Sequence, residues 1–182
     1  MRNENYSDPI LTNVSFSQNT AIRSGGGMEN FYHSNPTLVN VTFNGNTSET
    51  GGGMMNGSSS SPILTNVTFH ANTALEQGGG IYNDSGSNPG LTNITLSGNT
   101  ALEGGGLYNA YGSNPVVANS ILYGDSGGEF FDVSGTRVVS HSIVQGGYAG
   151  TGNLNTDPLL GPLQDNGGFT QTMALLPDQC GG

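Results

Sequence analysis

The sequence predicts an all-β protein, a single-stranded right-handed parallel β-helix of about six coils of roughly 22–27 residues with a C-terminal cap. Three observations predict it. Prolines recur at Pro9, Pro36, Pro62, Pro89 and Pro115, spaced 27, 26, 27 and 26. Asparagines recur in columns on the same beat, and glycine triplets begin at Gly25, Gly51, Gly78 and Gly104.

The first column after the prolines is Asn13, Asn40, Asn66, Asn93 and Asn119, followed by the apolar column Phe16, Phe43, Phe69, Leu96 and Leu122. A second asparagine column is Asn19, Asn46, Asn72 and Asn99; a third, just past the glycines, is Asn30, Asn56, Asn83 and Asn109. Helical repeats need apolar residues at i, i+3, i+4 and i+7, and each glycine would cost a helix about 1 kcal/mol, so a helical solenoid is excluded. Short pieces such as Ile63-Leu64 and Val67-Thr68-Phe69 are β-branched or aromatic and bounded by Gly, Asn and Pro, as strands are. Three strands fit each coil, and parallel crossovers favour a right-handed wind. Stacked equal columns make apolar rows inside. The asparagine columns are expected at corners, pointing inward and bonding from rung to rung, because Asn tolerates left-handed backbone angles and carries both donor and acceptor. The glycine triplets are expected where φ turns positive or backbones approach closely.

Residues 137–144 form a shorter sixth rung that puts His141 in the first asparagine column. After Gly150 the beat stops. The chain therefore divides into β-helix repeats over 1–150 and a capping segment with a truncated tail over 151–182, the cap lying over the last apolar rung. The repeat begins within ten residues of Met1, which leads to the expectation of a fragment of a longer secreted chain.

Composition narrows the function classes. Apolar residues make up 33% and charged residues 9%, below the roughly 45–50% and 25% of globular chains; strict periodicity argues for a fold nonetheless. Thirteen acidic residues against three basic ones give a formal charge of −10. Nucleic acid and anionic bilayers would be repelled, so neither a nucleic-acid partner nor membrane insertion is expected. Cys180 is the single cysteine, which excludes a disulfide framework and a cysteine metal site.

The alternation of Phe-x-x-Asn, as in Phe43-Asn44-Gly45-Asn46, with Gly-Gly-Gly followed by Ile, Leu or Met resembles the repeats of chlamydial polymorphic outer-membrane proteins over about residues 9–125. The stretch from Asp157 to Pro177 resembles the segment that closes the β-helix in bacterial surface proteins of the choice-of-anchor type. These resemblances imply a large secreted bacterial protein held at the cell surface, with its anchor beyond Gly182, and imply no catalytic site.

Catalytic chemistry must rest on particular residues, since the fold also carries polysaccharide lyases and glycoside hydrolases. Counting from the second asparagine column stacks Glu76 and Glu103, which would set two carboxylates about 5 Å apart, near the spacing of a retaining pair. His33, His70 and His141 occupy different columns and form no ligand row. Asp84, Asp125, Glu129 and Asp132 fall in loops without the alternating acidic spacing of a calcium loop, so no cofactor is expected beyond at most a structural calcium ion. Tyr82 and Tyr108, with Tyr111 nearby, stack outward beside carboxylates and amides, an arrangement suited to sugar rings. Thr42, Thr68 and Thr95 form an outward threonine row that raises ice binding.

The expectation is an extracellular or cell-surface β-helical module without catalytic chemistry, contacting surface glycans or a neighbouring cell. The alternatives are a stalk or filament subunit, self-associating through its N-terminal rung, and a polysaccharide-active enzyme.

Overall fold

The computed structural model describes residues 1–177, so Cys180 lies outside the described residues. Three parallel sheets wrap one core. In the first sheet Ile10–Ser17, Thr37–Asn44, Ile63–His70 and Gly90–Ser97 lie side by side, followed by the broken pairs Val116–Ala118 with Ile121–Leu122 and Val138–Ser140 with Ile143–Val144. The second sheet has six strands: Arg2–Glu4, Met28–Phe31, Met54–Asn56, Ile81–Asn83, Leu107–Asn109 and Phe130–Asp132. The third pairs Thr47–Thr50 with Thr73–Gln77 and continues to coils before and after through single bridges such as Thr20 to Thr47 and Thr73 to Thr100. No helix occurs among the described residues.

The long strands of the first sheet bend at the first asparagine column. Asn13, Asn40, Asn66, Asn93 and Asn119 have φ of 59°, 53°, 56°, 55° and 52°, and His141 follows at 50°. A left-handed residue breaks the period-two alternation, so Leu38 and Val41, three apart, both point inward, as do Leu64 and Val67. The interior is then columnar: Leu11, Leu38, Leu64, Leu91, Val117 and Val139 form one row, and Met28, Met54, Ile81, Leu107 and Phe130 another. Phe16, Phe43 and Phe69 stack face to face, with ring centroids 4.8 and 4.7 Å apart.

Each glycine of a triplet is required for a different reason, as the second triplet shows. Gly51 sits at φ 63°. A Cβ on Gly52 would meet the Gly79 carbonyl at 2.5 Å and the Thr73 backbone at 2.6 Å, while one on Gly53 would meet the Phe69 ring at 2.7 Å. The third glycine makes room for the phenylalanine stack.

The N-terminal end falls within the 1–150 repeats, and the C-terminal end departs from the sequence reading. Residues 1–6 belong to the solenoid: Arg2–Glu4 is the outermost strand of the second sheet, and Asn3 adds a rung to the third asparagine column. At the other end Thr151–Asn155 lies against the last rung, with the His141 and Val144 amides donating to Thr151 and Leu154 carbonyls. Tyr148 and Arg137 close the core beside Phe130. The remaining tail is no lid on that rung. It forms an antiparallel hairpin, Leu160–Gln164 with Thr172–Leu175, that runs back along the side of the solenoid. The Thr42 hydroxyl donates to the Gln171 carbonyl, and the hairpin also borders Asn40 and Asn66 at one end and Ser97 and Tyr123 at the other.

Candidate functional site

The three asparagine columns differ. In the first, Nδ2 of Asn40 donates to Oδ1 of Asn13, Asn66 to Asn40 and Asn93 to Asn66, at 3.1, 3.1 and 3.0 Å, but these amides face solvent. The expectation that they point inward is corrected here, because a residue at the apex of a left-handed bend projects away from the interior. The ladder survives as an outward rail.

The second and third columns are the buried ones. Asn46, Asn72 and Asn99 are fully buried, as are Asn30, Asn56, Asn83 and Asn109. In the second, each Oδ1 accepts from both the backbone N–H and the Nδ2 of the preceding rung's asparagine, as Asn72 does from Asn46 at 3.0 and 2.9 Å. Each Nδ2 also donates to the carbonyl of a phenylalanine, Asn72 to Phe43 at 3.0 Å. Both columns end on a carboxylate. Asn99 donates to Asp125 and Asn109 to Asp132, where Arg137 completes an ion pair. A further buried column, Ser34, Ser60, Ser87 and Ser113, bonds each hydroxyl oxygen to the preceding rung's N–H; its signal was a serine on the same beat.

Tyr82 and Tyr108 stack with centroids 5.2 Å apart, and Phe131 continues the stack at 5.5 Å. Tyr108 is only 6% exposed because both its faces are covered. Burial first, and then the charge of Asp84, push the Tyr82 hydroxyl up to about 12; Tyr108 is raised by burial and by Glu103. A sugar ring stacks on a free aromatic face, and Tyr111 alone of the three is widely exposed.

Glu76 and Glu103 are not stacked. The register pairs Gln77 with Glu103, and the strand before it carries an irregularity between Ser48 and Thr50. Counting back from the glycines gives this register; counting forward from Asn crosses the extra residue of the longer coils. The two residues still lie on neighbouring rungs, where the Glu103 N–H donates to the Glu76 carbonyl at 3.2 Å. No group of three or more His, Cys, Asp or Glu gathers in a metal-holding arrangement among the described residues. In the threonine row raised for ice, Thr42 and Thr68 are buried and Thr95 is half-buried.

What stays open is the first arm of the first sheet. One outward rank is Ile10, Thr37, Ile63, Gly90, Val116 and Val138; the next is Thr12, Val39, Thr65, Thr92, Ala118 and Ser140. Ile10, Ile63, Val116 and Val138 are 76%, 58%, 51% and 58% exposed. The strands of this sheet contain no Asp, Glu, Lys or Arg. The asparagine rail runs beside these ranks.

The family model described as "Right handed beta helix region" matches residues 12–159, and the chain belongs to that family. Comparison with curated proteins found no match, and neither did comparison with solved structures.

Proposed function

We propose that the protein is a non-enzymatic extracellular attachment module that lays the open arm of its first sheet on a neutral polysaccharide surface. The observation that carries this is the outward rail of Asn13, Asn40, Asn66 and Asn93, with exposed Asn119 next in its column, beside two uncharged ranks. Amides at a spacing of about 4.8 Å offer donors and acceptors to sugar hydroxyls, and the β-branched ranks offer apolar contact to ring C–H faces. The formal charge of −10 disfavours acidic polymers, and this uncharged face is where a neutral one can approach. This moves the glycan contact from the self-stacked tyrosines to the sheet.

Co-sedimentation with insoluble chitin and cellulose tests it. Wild type is expected in the pellet, and Ile63→Glu or Thr65→Glu in the supernatant, since a charge on the face must be desolvated on contact. Wild type that stays soluble with every neutral polymer defeats the proposal. Release of soluble sugar that disappears in Glu103→Gln would defeat its non-enzymatic half. The second reading, a stalk or filament subunit, is favoured by the first coil, where Leu11, Val14 and Phe16 are only partly buried.

A further inference from the structure

The second asparagine column stops at an acid. Asp125 stands where the next asparagine would, and its Oδ1 accepts the Asn99 backbone N–H at 2.7 Å and Asn99 Nδ2 at 2.9 Å, as the amide oxygens of Asn99 and Asn72 do one and two rungs earlier. Its Oδ2 occupies the place of the amide nitrogen. In the rungs before, that atom donates. Here it is buried with no partner, and a Cβ on Gly106 would lie 2.8 Å from it.

The next turn adds a second carboxyl. The Gly106 and Leu107 amides donate to Gly128 and Glu129 carbonyls, which puts Glu129 in the column of the third glycine. In earlier coils an inward Cβ there would strike Phe43, Phe69 or Leu96. Glu129 instead turns its side chain toward Asp125: its Oε1 accepts the Asp125 N–H at 3.2 Å, and its Oε2 is buried without a partner. Asp125 and Glu129 are each 8% exposed.

No cation is at hand to neutralise them. The basic side chains are Arg2, Arg23 and Arg137. Arg2 pairs with Glu4 and Glu29 in the first rungs, Arg23 lies in the first coil, and Arg137 is held by Asp132 between the Phe130 and Tyr148 rings. Among the described residues Glu129 is the ionisable group that acts on Asp125, and the others packed against it, Asn99 and Gly106, carry no charge. Two unpaired carboxylates in a dry interior are far costlier than one that keeps its proton.

We propose that Asp125 stands in the fold as a neutral carboxylic acid, donating from Oδ2 in place of the asparagine amide and sharing that proton with Glu129, so that the last coils loosen when the proton is lost. The proton leaves to solvent as hydroxide or buffer base removes it, and the pair is left with two negative charges. Burial first, then the Glu129 charge, hold the Asp125 carboxyl well above the usual carboxylate range, which agrees with the geometry. A folded-state value above the unfolded one gives stability that is full below the unfolded carboxylate pKa and is lost as pH rises through the folded value.

Thermal unfolding of wild type and Asp125→Asn from about pH 4 to about pH 9 tests this. Asparagine keeps the shape and donates at every pH, so its advantage in Tm over wild type is expected to widen as pH rises. An advantage that is constant, absent or reversed at high pH overturns the proposal. Infrared spectroscopy gives a second readout with Asp125→Asn as reference: a protonated-carboxyl C=O band at neutral pH is expected in wild type and not in the variant, and its absence from wild type overturns the proposal. Calcium chloride that stabilises wild type but not Asp125→Asn would also overturn it, since a cation and not a proton would then be neutralising the pair.

Discussion

The Thr42 hydroxyl donates to the Gln171 carbonyl at 2.8 Å across 129 residues of sequence, and this bond ties the tail hairpin to the second coil. Thr42 is buried beneath the hairpin, so the bond is shielded from water. A Thr42→Val variant keeps the shape and leaves the carbonyl without its donor, at a cost of about 1–3 kcal/mol. The loss falls on hairpin docking. Hydrogen exchange of the amides in 160–175 is expected to accelerate while those of Leu64 and Leu91 stay protected; equal protection in both regions would refute the strap.

The asparagine columns separate by burial. Asn72→Ala removes the acceptor of the Asn46 N–H and Nδ2 and the donor to Phe43 and Asn99, all buried. Unpaired buried groups cost about 1–3 kcal/mol each, so this variant is expected to lose at least about 3 kcal/mol in urea unfolding. Asn66→Ala breaks bonds that water replaces, and its penalty is the left-handed backbone at φ 56°, about 1 kcal/mol. Asn66→Gly should recover that loss. Equal midpoints for the alanine variants at 66 and 72 would remove the distinction between rail and buried ladder.

The coil was legible because stacking forces equal residues into equal columns: Leu38 lies over Leu64, Asn46 over Asn72, Phe43 over Phe69. The direction of the first asparagine column was not read, although Leu38-x-x-Val41 carries the sign of it, since two inward residues three apart require a break in alternation between them. Asp125 was also readable, standing one beat after Asn99. The Glu76–Glu103 pairing failed because coils of two lengths place their extra residue before the glycines, and a count begun at Asn slips by one. Asp165-Asn166-Gly167-Gly168 marks the turn of the hairpin, but its docking had no sequence signal. Its contacts, such as Thr42 with Gln171, join a periodic segment to a non-periodic one, and nothing in either specifies the other.

Tyr82 gives a pH test away from the carboxyls. Its hydroxyl is pushed from the ordinary tyrosine value of 10.0 up to about 12 by burial and by Asp84. With the folded value raised, its contribution to stability is full below about pH 10 and is lost between there and about pH 12. Ultraviolet titration of tyrosinate is expected to resolve Tyr82 as the late-ionising group, with Tyr82→Phe removing that phase. Asp84→Asn should move it earlier. A wild-type titration with no late phase would contradict the burial of this stack.

The first coil carries the last prediction. Its aromatic stack ends at Phe16, whose outer face has no ring on it, and Leu11 and Val14 beside it are only partly buried. Its polar groups follow the same logic. In later rungs the oxygens of the two buried columns accept from the preceding asparagine, so Oδ1 of Asn3 and Asn19 is left without a donor among the described residues. The amides of Thr37 and Thr47 donate back to Pro9 and Asn19 at 3.0 and 2.9 Å, and those of Ile10 and Thr20, one coil earlier in the same columns, point the same way and lack that partner. Such an edge is a template for another strand. The 182-residue chain is therefore expected to self-associate through this coil, and sedimentation should give a mass that rises with concentration. Ile10→Pro with Thr20→Pro removes two free donors without breaking a bond inside the solenoid, so the double variant should remain folded and sediment as a monomer. A wild-type mass of 18.7 kDa at every concentration would defeat the prediction. So would association that persists unchanged in the double variant, because the contact would then lie on another surface.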